Sequence, residues 1–219
     1  MSNLFSTNSP LWRALNKVAD LIWLNILFII FCIPVFTIGS ALSAMYSVTL
    51  KMCTNEEGAI SQNFFNAFRE NFKQATILWL IMLGIGILLI ADFLMVPFLG
   101  GTLYAVAFWI LCVIGILYIM TFSYLFPLQS KFENTIKRTL MNALLLPIRH
   151  LLPTSVVVCL LTAVPGLILY FKPELLIQFL PLVILILFSG IAFLNSKLLL
   201  PIFQSYIRLQ VNQKAEEDA

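Results

Sequence analysis

The sequence predicts an all-α, polytopic membrane protein with six transmembrane helices and two amphipathic helices at the cytoplasmic interface. Three observations carry that prediction. The chain of 219 residues is 61% hydrophobic and 11% charged, whereas a soluble domain is roughly half apolar and about a quarter charged. Its apolar runs approach or exceed the roughly 20 residues that cross a hydrocarbon core as a helix. The charge between those runs alternates in kind. Of the thirteen Lys and Arg residues, all but Lys172 fall in segments that the six-span reading places on one side, the asymmetry expected of cytoplasmic loops.

Ser9-Pro10 reads as a helix start, with Ser as cap and Pro at the first helical position. Leu11, Trp12, Leu15, Val18 and Ile22 then recur at helical spacing and lead into span one, about 19–33. Pro34 ends it, because the residue before a proline is pushed away from helix. Span two, about 37–52, is short and rich in small residues. Gly39, Ser43 and Ser47 recur every fourth position, a spacing that lets helix backbones approach closely in lipid. This helix suits burial better than lipid contact, and a re-entrant segment is the alternative reading.

From 55 to 74 the chain is amphipathic. Phe64, Phe65, Phe68 and Phe72 form a stripe flanked by Arg69, Glu70 and Lys73. This pattern fits a helix lying in the inner interface, and the same stripe could dock a cytoplasmic ATPase or a permease. Span three, about 75–96, ends at Pro97, and span four covers about 102–127. A second amphipathic stretch runs from Gln129 to His150. Spans five and six follow at about 151–171 and 175–195, joined by an outer turn at Lys172 to Glu174. Helix continues toward Arg208 with a break near Pro201, and the charged end, 212–219, reads as a disordered tail. Both termini then lie in the cytoplasm.

Several function classes drop out. A net charge of +3 is small and gives no sign of a nucleic-acid partner, none being expected, and anionic lipid on the inner face accounts for the basic loops. Three of the four cysteines sit in apolar runs and none in an outer loop, so no disulfide framework is expected. His150 stands without Cys, Asp or Glu partners nearby and reads as an interfacial anchor, as do Asn195 and Lys197, so no metal site or cofactor is expected. No catalytic motif is present, and the spans lack paired polar residues, so no enzyme is expected. Asp92 is the one carboxylate inside a span. It reads either as a hydrated interfacial residue paired with Lys172, or as a substrate or proton site.

Two stretches resemble a known family. Asn25-Ile26-Leu27-Phe28, Ile33-Pro34-Val35-Phe36-Thr37-Ile38-Gly39-Ser40-Ala41 and Ala44-Met45-Tyr46 resemble the start of the YesL-like bacterial membrane proteins. Glu57-Gly58, Phe64-Phe65, Phe68-Arg69 and Asn71-Phe72-Lys73-Gln74-Ala75 resemble that family's first inner helix. The domain is one of unknown function, and its members are often encoded near carbohydrate ABC import systems. The resemblance therefore implies a bacterial cell-membrane protein that acts as a non-enzymatic accessory or regulatory component, with ABC permease or ATPase subunits as partners. The alternative is a small solute transporter or channel, as a homo-oligomer.

Overall fold

Helix α1 (Pro10–Cys32) stops two residues before Pro34, and a 3-10 turn (Val35–Thr37) reverses the chain into α2 (Ile38–Thr54). In this computed structural model, residues 10–149, 157, 158, 160–163, 174, 178 and 180–217 are described. The order continues with α3 (Ile60–Met95), a 3-10 turn (Val96–Phe98), α4 (Gly101–Lys131) and α5 (Ile136–Arg149). The last helical stretch, α6 (180–217), comprises Leu180–Leu182, a π-helical turn (Val183–Leu187) and Phe188–Glu217. No strand occurs among the described residues. Among the described residues, four helical segments are long and apolar enough to cross a membrane: Ala14–Cys32, Ile60–Phe98, Gly101–Lys131 and Leu180–Ser205. Their outward faces carry Ile, Leu, Phe and Trp side chains, a surface that water would not tolerate. The chain is a helical membrane protein.

The centre of the bundle is α2. Most of its side chains are buried, and it packs most extensively on α3, then on α6 and α4. Its hairpin with α1 is antiparallel over the full length. Lys17 Nζ, near the start of α1, donates to Met52 O at 3.1 Å and Asn55 Oδ1 at 2.8 Å, at the end of α2. The start of α1 and the end of α2 therefore share one face of the molecule. Asn55 ends α2 in the left-handed region (φ 58°), which Asn tolerates better than most residues. The lysine cation also meets the negative end of the α2 dipole.

Of the segment 55–74, expected as a separate helix lying in the interface, residues 60–74 are instead the first part of α3. That helix runs unbroken for 36 residues, about 54 Å at 1.5 Å per residue, because no proline or glycine separates the amphipathic part from the apolar part. Three other prolines do not break helices. Pro127, Pro147 and Pro201 all lie inside helical segments, so span four extends to Lys131 and the expected break near Pro201 is missing. Such prolines are tolerated in membrane helices where neighbouring groups or local adjustments satisfy the freed backbone; at Pro127 the freed group is the carbonyl four residues earlier. Helix continues to Glu217, past Asn212, where the sequence reading begins its tail. Most of span five, the residues His150, Lys172 and Pro173, and most of 175–179 lie outside the described residues.

The two turns are not level. Trp79 Nε1 donates to Val35 O at 2.9 Å, so the α1–α2 turn meets α3 only a turn into its apolar stretch. The second turn begins at Val96, about 25 Å farther along α3 at 1.5 Å per residue. The first turn is also apolar on its surface, with Ile33, Val35 and Phe36 exposed. Part of its backbone is closed internally: the Thr37 hydroxyl lies 2.6 Å from both Phe31 O and Pro34 O, and the Thr37 N–H donates to Pro34 O at 3.0 Å. A turn built this way can sit at hydrocarbon depth, where an open carbonyl is costly. We expect Val35→Cys and Gly100→Cys, each in a cysteine-free background, to differ in labelling by a membrane-impermeant maleimide, with only one of them reacting. Equal labelling of both would mean that α3 lies strongly inclined.

Candidate functional site

Among the described residues, two places in the bundle gather polar groups beside a hollow: a polar seam with an adjoining cavity in the interior, and an open cleft at the charged end. The seam begins at Asn25 in α1, fully buried. Its Nδ2 donates to Ile184 O at 2.6 Å, and its Oδ1 accepts from the Ser189 N–H at 3.0 Å. Residues 184 and 189 are five apart, the spacing of a π-helical backbone bond. The Asn25 amide thus bridges the pair that a π-turn would join directly. Ser189 Oγ returns a bond to Leu21 O at 2.8 Å. Lower in the seam, the Thr49 and Ser196 hydroxyls lie 2.7 Å apart, and Asn195 Nδ2 donates to the Tyr46 hydroxyl at 3.3 Å. Asn195 is wholly buried, which corrects its reading as an interfacial anchor; Lys197, two residues on, is exposed. Asn195 Oδ1 and Ser43 Oγ are buried without a hydrogen-bond partner among the described residues.

Beside the seam lies a cavity of about 310 Å³. Its walls are hydrocarbon and aromatic, including Phe28, Trp79, Phe122, Phe126 and Phe188, and among the described residues its hydroxyls come from Tyr46, Ser123 and Thr162. The Ser123 and Thr162 hydroxyls lie 2.7 Å apart, and Tyr46 is engaged by Asn195.

The cleft is larger, about 850 Å³, and opens between α3 and the α4–α5 connection. Two acids, Glu70 and Glu133, and two bases, Lys73 and Lys131, line it together with amides. Its floor is held by a relay in which Thr139 Oγ1 donates to Gln129 Oε1 at 3.4 Å and Gln129 Nε2 donates to Asn71 Oδ1 at 3.2 Å. Gln74 Nε2 donates to Asn134 O, tying α3 to the connection. At the same end of α2 as Lys17, burial pushes the Cys53 thiol above its ordinary pKa, with Lys17 and Lys197 pulling it back.

The residues singled out from sequence fall as follows. Asp92 is exposed in the last turn of α3, and its expected partner Lys172 lies outside the described residues. Phe64 is fully buried, and the rings of Phe64, Phe65 and Phe68 gather around Phe31 of α1 at 5.6, 5.2 and 4.8 Å. Phe72 stacks obliquely on Phe68 at 5.5 Å, and of the four only Phe65 is largely exposed. The stripe is therefore chiefly a helix-packing feature. Gly39 sits against Ala75 and Trp79 of α3, Ser43 is buried, and Ser47 is half-buried. Beside them, Ser40 Oγ lies 3.0 Å from Thr76 Oγ1 and donates to Phe72 O at 3.1 Å.

Sequence reasoning missed the site roles of Asn25, Tyr46, Thr49, Ser189 and Asn195. A polar residue inside an apolar run was the available signal, and Asn25 and Tyr46 both fall in the stretches that carry the family resemblance. Among the described residues, no group of three or more His, Cys, Asp or Glu could hold a metal ion.

No curated protein and no solved structure matches the chain. A family model does: residues 21–93, from α1 through nearly all of α3, match the family described as "Protein of unknown function, DUF624". The YesL-like proteins of bacteria, which this sequence resembles, belong to that same DUF624 family.

Proposed function

We propose that this chain is a non-enzymatic accessory subunit of a bacterial carbohydrate import system. It is a multi-pass protein of the cell membrane and keeps both termini in the cytoplasm. The observation that carries the reading is the contrast between the two hollows. The interior cavity offers three hydroxyls, each within hydrogen-bonding distance of a protein group, too few to hold a sugar against water. The open cleft at Glu70, Lys73, Lys131 and Glu133 presents charges of both signs and amides on a rigid relay, a surface suited to a polar protein segment. A permease or ATPase subunit is the partner that the family resemblance implies.

Affinity purification of the full chain from its own host in mild detergent tests this. A permease or ATPase subunit should be recovered, and the pair Lys73→Glu with Lys131→Glu should lose it while leaving the yield of folded protein unchanged. Repeated recovery of no transport subunit overturns the reading. Reporters fused after Ser61 and after Gln129 should both report the cytoplasm, and an external signal from either would overturn the proposed topology.

One observation favours a second reading, a small-solute transporter. The cavity adjoins the π-turn of α6 through Leu187 and Phe188, and π-turns are frequent at functional sites. That reading needs a solute with few hydrogen-bonding groups.

A further inference from the structure

We propose that the interior cavity is an acyl-chain site, filled from the side by one hydrocarbon chain of a membrane phospholipid. This goes beyond the accessory role and does not depend on it. A second hollow of about 230 Å³ lies against the first. The two share Trp79 and Phe122, whose ring centroids are 6.2 Å apart. The outer hollow is bounded by Ile87 and Ile90. These residues are 59% and 63% exposed on the apolar wall formed by the α3–α4 hairpin. The path therefore leads from the bundle centre, past a tryptophan–phenylalanine partition, to a surface bathed in lipid tails.

The chemistry of the walls selects the tail rather than the headgroup. Among the described residues, no Asp, Glu, Lys, Arg or His lines either hollow. The Tyr118 hydroxyl in the outer hollow is engaged, donating to Met82 O at 3.1 Å. A charged or zwitterionic group would find no partner here, and burying it unpaired is prohibitive. Water would fare poorly as well, because it needs several polar partners to occupy a cavity. A methylene chain gains dispersion contacts with the aromatic rings and leaves no polar group unsatisfied. A pocket of a few hundred cubic ångströms, largely apolar and with few polar groups, also has the general form of a ligand site.

The test uses fluorescence quenching by phosphatidylcholine with dibrominated chains, in bilayers containing the full-length protein. One variant keeps only Trp79 (Trp12→Phe, Trp23→Phe and Trp109→Phe). A second keeps only Trp109, which faces outward on α4 (69% exposed), with Trp79→Phe in place of Trp109→Phe. Both tryptophans should be quenched. Two substitutions then fill the path. Ala192→Phe occupies the inner cavity that Ala192 lines. Gly86→Leu plugs the outer hollow, where a Cβ would come 2.7 Å from the Tyr118 hydroxyl. Either one should remove Trp79 quenching and leave Trp109 quenching intact. The proposal is overturned if Trp79 is not quenched in the unfilled protein, a result that needs no filled variant. It is overturned equally if quenching survives in a filled variant that folds, since the lipid in contact would then be ordinary annular lipid.

Discussion

Replacing Gly39 by valine is expected to force α2 away from α3 and to give the most destabilised single variant of this protein. A Cβ at position 39 would lie 2.5 Å from Trp79 Cβ, with the Ala75 backbone carbonyl in the way as well. Neither obstacle is the far end of a flexible side chain, so the helices must move. Overpacking a tight interior typically costs ~1–3 kcal/mol, and a backbone clash on the most extensive helix pair of the bundle belongs at or above the top of that range. Separation would also stretch the Ser40 bonds to Phe72 and Thr76 and the Trp79 bond to the first turn. Thermal unfolding in detergent, followed by tryptophan fluorescence, measures the effect. Gly84→Ala is the control. Nothing lies within 4 Å of a Cβ there, and a glycine inside a helix is worse than alanine by about 0.8–1.0 kcal/mol, so this variant should be at least as stable as the parent. A Gly39→Val protein of parental stability would mean that α2 and α3 do not pack as described.

Asn25→Leu is expected to have the second-largest effect, by a different route. The leucine removes both halves of the amide bridge and strands Ile184 O and the Ser189 N–H inside the bundle. Each unsatisfied buried group costs about 1–3 kcal/mol, so the two together cost at least about 2 kcal/mol unless the backbone closes on itself. Closure is possible, since the two groups have the spacing of a π-helical bond. The Ser189 amide distinguishes the outcomes: its hydrogen exchange should accelerate if the turn opens and stay slow if the backbone bond forms. Asn25→Asp keeps an acceptor for Ser189 but sets an oxygen against Ile184 O, so it should fall between the parent and the leucine variant. An Asn25→Leu protein with parental stability and parental exchange would remove the bridge from any structural role.

Much of this was open to reading along the chain because it rests on local sums. The apolar runs locate the Cys32 end of α1, the Met95 end of α3 and the Gly101 start of α4 within about a residue. The Gly39, Ser43 and Ser47 spacing marks α2 as a packing helix because small side chains are useful only where another backbone comes near. The phenylalanine stripe of α3 was legible as an amphipathic face. Its destination was not, because the same face suits a membrane surface or a neighbouring helix, and only the position of Phe31 on α1 decides between them. Asn25 and Asn195 were harder. A lone amide in an apolar run has no periodicity, and its partner lies more than a hundred residues away in sequence.

The sequence by itself determined that lipid surrounds this protein, that its elements are helices, and which helix would be enclosed by the others. These follow from hydropathy, residue size and backbone satisfaction, which are properties of each segment taken alone. Tertiary structure alone decided relative depth and pairing. The first turn meets α3 at Trp79 instead of level with Val96, and Asn25 reaches across to the π-turn of α6. A helix can slide along its neighbour with little change in its own apolar content. The stopping point is set by a few close contacts between distant residues, the bare backbone at Gly39 and the amide of Asn25 among them.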